Sequence, residues 1–234
     1  MKTIKKLLVA ALAIISLSAT AQTADEIVAK NTAAMGGVEK LKTLISLKKS
    51  GNLGTPQGDF PMTMTVVQDK GFRIDLEIMG TANYQIITPE KGFMFFPIQQ
   101  MTEPKELEAE RVQNSQGQLD LQGSLLDYKT KGIGVEFVGT EKFNGADAYK
   151  LKVTKKNGKV SFYLIDAKSN FLVKTSSKEK GPDGTEADMD NVYSDYKQNK
   201  DGFWFAYSME TPNGGIKFDT IETNIKVDEN IFKN

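Results

Sequence analysis

The stretch Phe72-Arg73-Ile74-Asp75-Leu76-Glu77-Ile78, "FRIDLEI", alternates apolar and charged side chains without interruption. Successive side chains of an extended chain point to opposite faces, so this pattern makes a strand with one dry face and one wet face. Upstream, "FPMTMTVV" (60–67) places Phe60, Met62, Met64 and Val66 on one face in the same way. Downstream, "NYQIIT" (83–88) and "GFMFFP" (92–97) continue the series. In the latter, Phe93, Met94, Phe95 and Phe96 are apolar on both faces, which suits a strand covered on both sides.

Strands return after Gly132: "AYKLKVT", "KVSFYLID", "NFLVKTSS", "FWFAYSM" and "IKFDTIE". Between and beside them stand Asn144-Gly145, Asn157-Gly158, Asp183-Gly184, Asp201-Gly202 and Asn213-Gly214. Such pairs tolerate the positive φ of tight hairpin turns, so consecutive strands are antiparallel. The turn signals predict a meander of roughly eight to eleven strands. A sheet that long curls or closes, and its apolar face needs cover.

Two segments can supply that cover. "TADEIVAKNTAAMGGVEKLKTLISL" (23–47) reads as helix, with Thr23 and Glu26 forming a capping box and Gly36-Gly37 dividing it into two pieces. "TEPKELEAERVQNSQGQLDLQGSLLD" (102–127) reads as one or two helices with an irregular middle, the best helix formers lying from Glu103 to Arg111. The fold class is therefore mainly β (α+β): a strongly curved antiparallel sheet, or half-open β-barrel, with an N-terminal helix and a helical lid over its concave face. Such a sheet either packs solid or leaves a pocket.

Composition narrows the chemistry. The chain has 234 residues, with no Cys and no His. That excludes thiolate and imidazole catalysis and any Cys/His zinc site. No nucleophile elbow or P-loop is present, and "GIGVEFVG" (132–139) has its glycines before a strand instead of after one. Glu186, Asp188 and Asp190 alternate in "TEADMDN", but lack the glycine and closing glutamate of a calcium loop; a solvated strand face explains them. The expectation is a non-enzyme with no cofactor and no metal.

Lys2, Lys5 and Lys6, the apolar run Leu7–Leu17 and Ala19-Thr20-Ala21 make a secretory signal, cleaved after residue 21. The run is too short to span a bilayer, which takes roughly 20 residues. Residues 22–234 are expected to form a single domain. Lysine plus arginine equal aspartate plus glutamate over the whole chain, and the signal removes three lysines and no acid, leaving a slight acidic excess. This charge balance leaves no electrostatic footprint for nucleic acid, and no polybasic stretch for an anionic lipid surface is present. Without cysteine the exported chain has no N-terminal acyl anchor, so it is expected in the periplasm, soluble and monomeric.

The order of these features resembles the LolA-like superfamily, periplasmic carriers that sort lipoproteins to the outer membrane. The resemblance runs through "DKGFRIDLEI" (69–78), "YQIITPEKGFMFFP" (84–97), "GTEKFNGADAYKLKV" (139–153), "FYLIDAKSNFLVK" (162–174) and the closing "NIKVDENIFKN" (224–234). It implies an incomplete barrel lidded by helices over an apolar cavity for lipid or lipoprotein acyl chains, with inner- and outer-membrane sorting proteins as partners. The expected lining is Met62, Met64, Ile74, Leu76, Ile78, Ile86, Phe93 and Phe95, covered by Leu121 and Leu125. The family places a lid-latching arginine before the aromatic residue of this strand. Here the neighbourhood reads Asp69-Lys70-Gly71-Phe72-Arg73, so Lys70 and Arg73 are the latch candidates. A sensor or protein-interaction module on the same fold, with a filled core, is the alternative.

Overall fold

The computed structural model describes residues 23–180 and 185–234. The expected signal (1–21) and the Asp183-Gly184 turn lie outside the described residues. Helix α1 (Ala24–Ala34) starts where the sequence places it. Thr23 Oγ1 accepts from Glu26 N, and Glu26 Oε2 accepts from Thr23 N, each at 3.2 Å. Gly36 and Gly37, at φ 115° and 89°, take a conformation that costs other residues dearly, and α2 (Val38–Lys42) begins beyond them.

The strands are β1 (Ser46–Thr55), β2 (Gly58–Val67), β3 (Gly71–Ile78), β4 (Thr81–Ile87), β5 (Gly92–Phe95) and β6 (Lys105–Glu106). After α3 (Ala109–Ser115) come β7 (Gly134–Phe143), β8 (Ala146–Thr154), β9 (Val160–Asp166) and β10 (Leu172–Lys180). The last three are β11 (Glu186–Gln198), β12 (Trp204–Thr211) and β13 (Gly214–Thr223). Among the described residues these thirteen strands form one antiparallel sheet, ordered β6-β5-β4-β3-β2-β1-β13-β12-β11-β10-β9-β8-β7. The sheet is curved and unclosed, with β6 and β7 as its edges.

Two expectations change. The strand count exceeds eight to eleven partly because β6 (Lys105–Glu106) forms inside the segment expected to be helical; the β3–β4 hairpin turns through Met79-Gly80 (φ 51° and 73°), a pair without the Asn-Gly signature. The helix expected from Glu103 begins only at Ala109. Lys105 and Glu106 instead pair with Met94 and Phe93, and Leu107 N donates to Gly92 O at 2.8 Å. Edge pairing satisfies these backbone groups and buries Leu107, and tertiary gain of that kind overrides helix propensity.

The connection from β6 to β7 must travel from one edge of the sheet to the other, and it does so across the inner face. It is the lid. Val112 and Leu119 pack on Val66, Phe72 and Ile87. Leu125 joins Ile27 and Val28 of α1 over Leu151, Val153 and Ile165. A third cluster, Leu47, Met62, Ile216, Phe218 and Ile221, lies where β1, β2 and β13 meet. No described helix is long and apolar enough to cross a membrane.

Candidate ligand cavity

Residues paired across an antiparallel ladder share a face, so the register sorts every side chain. Val66, Phe72, Ile87 and Gly92 form one inner row, Met64, Ile74, Gln85 and Met94 the next, and Met62, Leu76 and Asn83 a third. Thr65, Arg73, Ile86, Phe93 and Glu106 form an outer row, with Thr63, Asp75, Tyr84 and Phe95 beside it.

Between this inner face and the lid lies a cavity of about 500 Å³. Its floor comes from β1 and β2 (Leu47, Lys49, Met64, Val66), from Phe72, and from the aromatic side of the sheet. That side contributes Tyr163 of β9, Tyr193 and Tyr196 of β11, and Phe203, Trp204 and Phe205 at β12. The roof comes from α1 (Asn31, Thr32) and its C-cap Met35, from Leu41 and Leu44, and from lid residues 117–118 and 120–126.

The roof is tied down by polar contacts. Asp120 and Lys131 pair at 2.7 Å, and Lys131 Nζ also donates to Gly123 O at 2.8 Å. Leu121 N donates to Gln68 Oε1 at 2.7 Å, and Asp69 N to Leu119 O at 3.1 Å. Lys42 of α2 meets Asp127 at 2.7 Å. Asp25 of α1 takes hydrogen bonds from Lys129 and Tyr128, and these hold its carboxyl below the usual carboxylate range.

The tyrosine hydroxyls are turned inward or buried. Burial pushes Tyr163, Tyr193 and Tyr196 above the ordinary phenol range, with hydrogen bonding from Ser124 and Thr175 opposing the shift at the first two. Tyr196 donates to Leu172 O at 2.7 Å and stacks on Phe171, with ring centroids 4.3 Å apart. Lys49 stands apart from the rest of the lining. Its ladder partners are Met64 and Ile221, and its Nζ lies over the rings of Phe205 and Phe218 at 5.3 and 5.0 Å. Among the described residues no carboxylate is within ion-pair reach of it. Burial lowers its ammonium to about 8 from the ordinary 10.5.

Of the residues expected in the lining, Met64, Leu121 and Leu125 border the cavity. Ile74, Met62 and Leu76 are on the inner face but pack into the adjoining clusters, and Met62 and Leu76 border a second hollow of about 430 Å³ with Asp75, Glu77 and Asp219. Ile78 pairs with Thr81 on the inner face at the hairpin end, away from the cavity. Ile86, Phe93 and Phe95 belong to the outer face. The runs "QIIT" and "GFMFF" are apolar at both parities, so only the pairing of Arg73 with Ile86 and Phe72 with Ile87 sets which residue turns inward.

The latch candidates also sit elsewhere. Arg73 pairs with Asp75 at 2.7 Å, donates from Nη1 to Ile231 O at 2.9 Å and lies over the Tyr84 ring at 4.6 Å. Lys70 meets Glu229 at 2.5 Å. Both hold the segment around Glu229–Phe232 against the outer face of β3, on the opposite side of the sheet from the lid. The sequence reading missed Lys49 and the aromatic side. Lys49 had a signal: alternation from Leu47 places it in an apolar row. The acids of β11 form lysine pairs, Glu186 with Lys178 and Asp190 with Lys174.

No family model matches the sequence, and neither does any curated protein. Solved structures do match. An outer membrane lipoprotein-sorting protein domain from Vibrio parahaemolyticus is 16% identical, with 89% of this chain and 95% of the other covered at a TM-score of 0.54. A LolA superfamily protein from Nitrosomonas europaea is 11% identical, with 92% and 99% covered at a TM-score of 0.57. Likeness at this identity speaks to architecture: the long curved sheet, its open edges and its lid are a LolA-like fold.

Proposed function

We propose that this protein is an exported, periplasmic carrier that binds acyl chains, of lipoproteins or of another lipid, within the cavity, and that it is a binding protein and not an enzyme. The cavity itself carries the reading. Its volume falls within the roughly 300–1,000 Å³ typical of small-ligand sites, and its walls are mostly aliphatic and aromatic. Each buried CH₂ contributes about 0.8 kcal/mol, so a chain needs few polar contacts. Leu121, Leu125 and Met64 would touch it, and the ties of the lid would retain it. A filled-core sensor module has no use for such a space. The structural neighbour named for lipoprotein sorting supports the carrier reading by analogy of fold.

Native mass spectrometry of protein purified from its own source, followed by organic extraction, tests this. Recovery of a bound lipid or acylated peptide is the expected result. A bare mass that added fatty acid and lipopeptide leave unchanged overturns it.

A further inference from the structure

We propose that the cavity selects an anionic single-chain amphiphile and holds its negatively charged head inside, against Lys49. This rests on the carrier reading and sharpens it. A pocket for neutral chains alone has no need of a lysine in the middle of its floor. Lys49 sits between two apolar ladder partners, Met64 and Ile221, and among the described residues the ring faces of Phe205 and Phe218 meet its Nζ. Ring faces compensate a desolvated cation in part. Lys49 is half-buried by accessible surface, its amine drawn in over the rings; such a desolvated charge without a counter-ion is costly, and an incoming anion offsets that cost while gaining a charge-assisted hydrogen bond.

The other ionisable groups of the lining do not fill the role. Asp120 is the sole carboxylate among the described lining residues, and it is committed to Lys131 at 2.7 Å and to Gln122 N at 3.2 Å. Tyr163, Tyr193 and Tyr196 are neutral phenols at pH 7, and burial raises them further, so they carry no charge. The cavity therefore offers one unbalanced positive charge amid aromatic and aliphatic walls. That is the complement of a carboxylate or phosphate on one hydrocarbon chain. The tail would run along Leu47, Val66 and the lid leucines.

The test is displacement of a fluorescent acyl-chain probe from delipidated full-length protein by laurate, dodecyl phosphate and neutral methyl laurate at pH 7. The proposal expects both anions to bind more tightly than the ester by on the order of ten- to a hundredfold. Whichever anion is tighter identifies the head, carboxylate or phosphate. In Lys49→Met the preference for the anions over the ester disappears, and Lys49→Arg retains it. Equal binding of all three by the unaltered protein overturns the anionic-head proposal and leaves the carrier reading standing. Failure of all three to displace the probe, with no direct binding by mass, overturns the carrier reading as well.

Discussion

A lysine among apolar neighbours costs a fold stability whenever it is protonated. For Lys49 the folded ammonium loses its proton near 8 and the unfolded one near 10.5. Below pH 8 both states are protonated and the penalty is fully present. Between about 8 and 10.5 the unfolded chain binds the extra proton, so stability rises with pH there. Lys49→Met is therefore expected to stabilise the ligand-free protein by about 2 kcal/mol at pH 7, with the advantage shrinking by pH 10. Paired urea titrations of the two proteins check this, and their difference cancels the buried tyrosines, which act in the opposite sense above pH 10. Gly71 makes a separate residue-scale point. A Cβ there would lie 2.4–2.7 Å from the ring of Phe232, which is buried on it. Gly71→Ala is expected to displace that ring and cost about 2 kcal/mol, read as a lower midpoint in urea.

At the scale of elements, the two sides of the sheet carry different attachments. The segment from Asp228 onward is bound to the outer face of β3 through Lys70–Glu229 and Arg73–Ile231. The lid is bound to the inner side through Asp120–Lys131 and Gln68–Leu121. Arg73→Ala is thus expected to raise hydrogen exchange at Ile231 and Lys233 and to change acyl-ligand affinity less than about twofold, because the bonds it removes lie away from the cavity. Lys131→Met has the reverse signature. It leaves Asp120 without its cation and Gly123 O without its donor, so the lid opens more often. Faster release of bound ligand in stopped flow, on the order of tenfold, is the outcome to look for.

For the whole molecule, an interior space means that ligand occupancy and stability are linked. Ligand at one hundred times its dissociation constant adds about 2.7 kcal/mol, which for a chain of this size raises the melting temperature by about 5–10 °C. Calorimetry of delipidated protein with and without laurate measures it. The open sheet also has to keep its edges from pairing with other chains. Edge strand β7 carries Glu136, Glu141 and Lys142, and its register shifts between Phe137 and Gly139, so it is charged and locally bent.

The alternation of "FRIDLEI" and "FPMTMTVV" was enough to establish β3 and β2 as strands with one apolar parity, because their other parity is charged in the first and largely Pro and Thr in the second. Thr23, Glu26 and the Gly36-Gly37 break likewise set α1 and α2 through local backbone chemistry alone. The absence of cysteine and histidine limited the chemistry without any structure. Tertiary structure decided what local pattern leaves open. Ile86 against Ile87, and Phe93 against Met94, are equally apolar neighbours, and only pairing to Arg73 and Phe72 assigns them to opposite faces. Residues 103–108 favour a helix locally, yet the unpaired edge of β5 draws Lys105-Glu106 into a strand. Alternation from Leu47 puts Lys49 on the parity of Leu47 and Leu53, but its removal from water comes only from β2, β12, β13 and the lid, distant segments brought together by the fold.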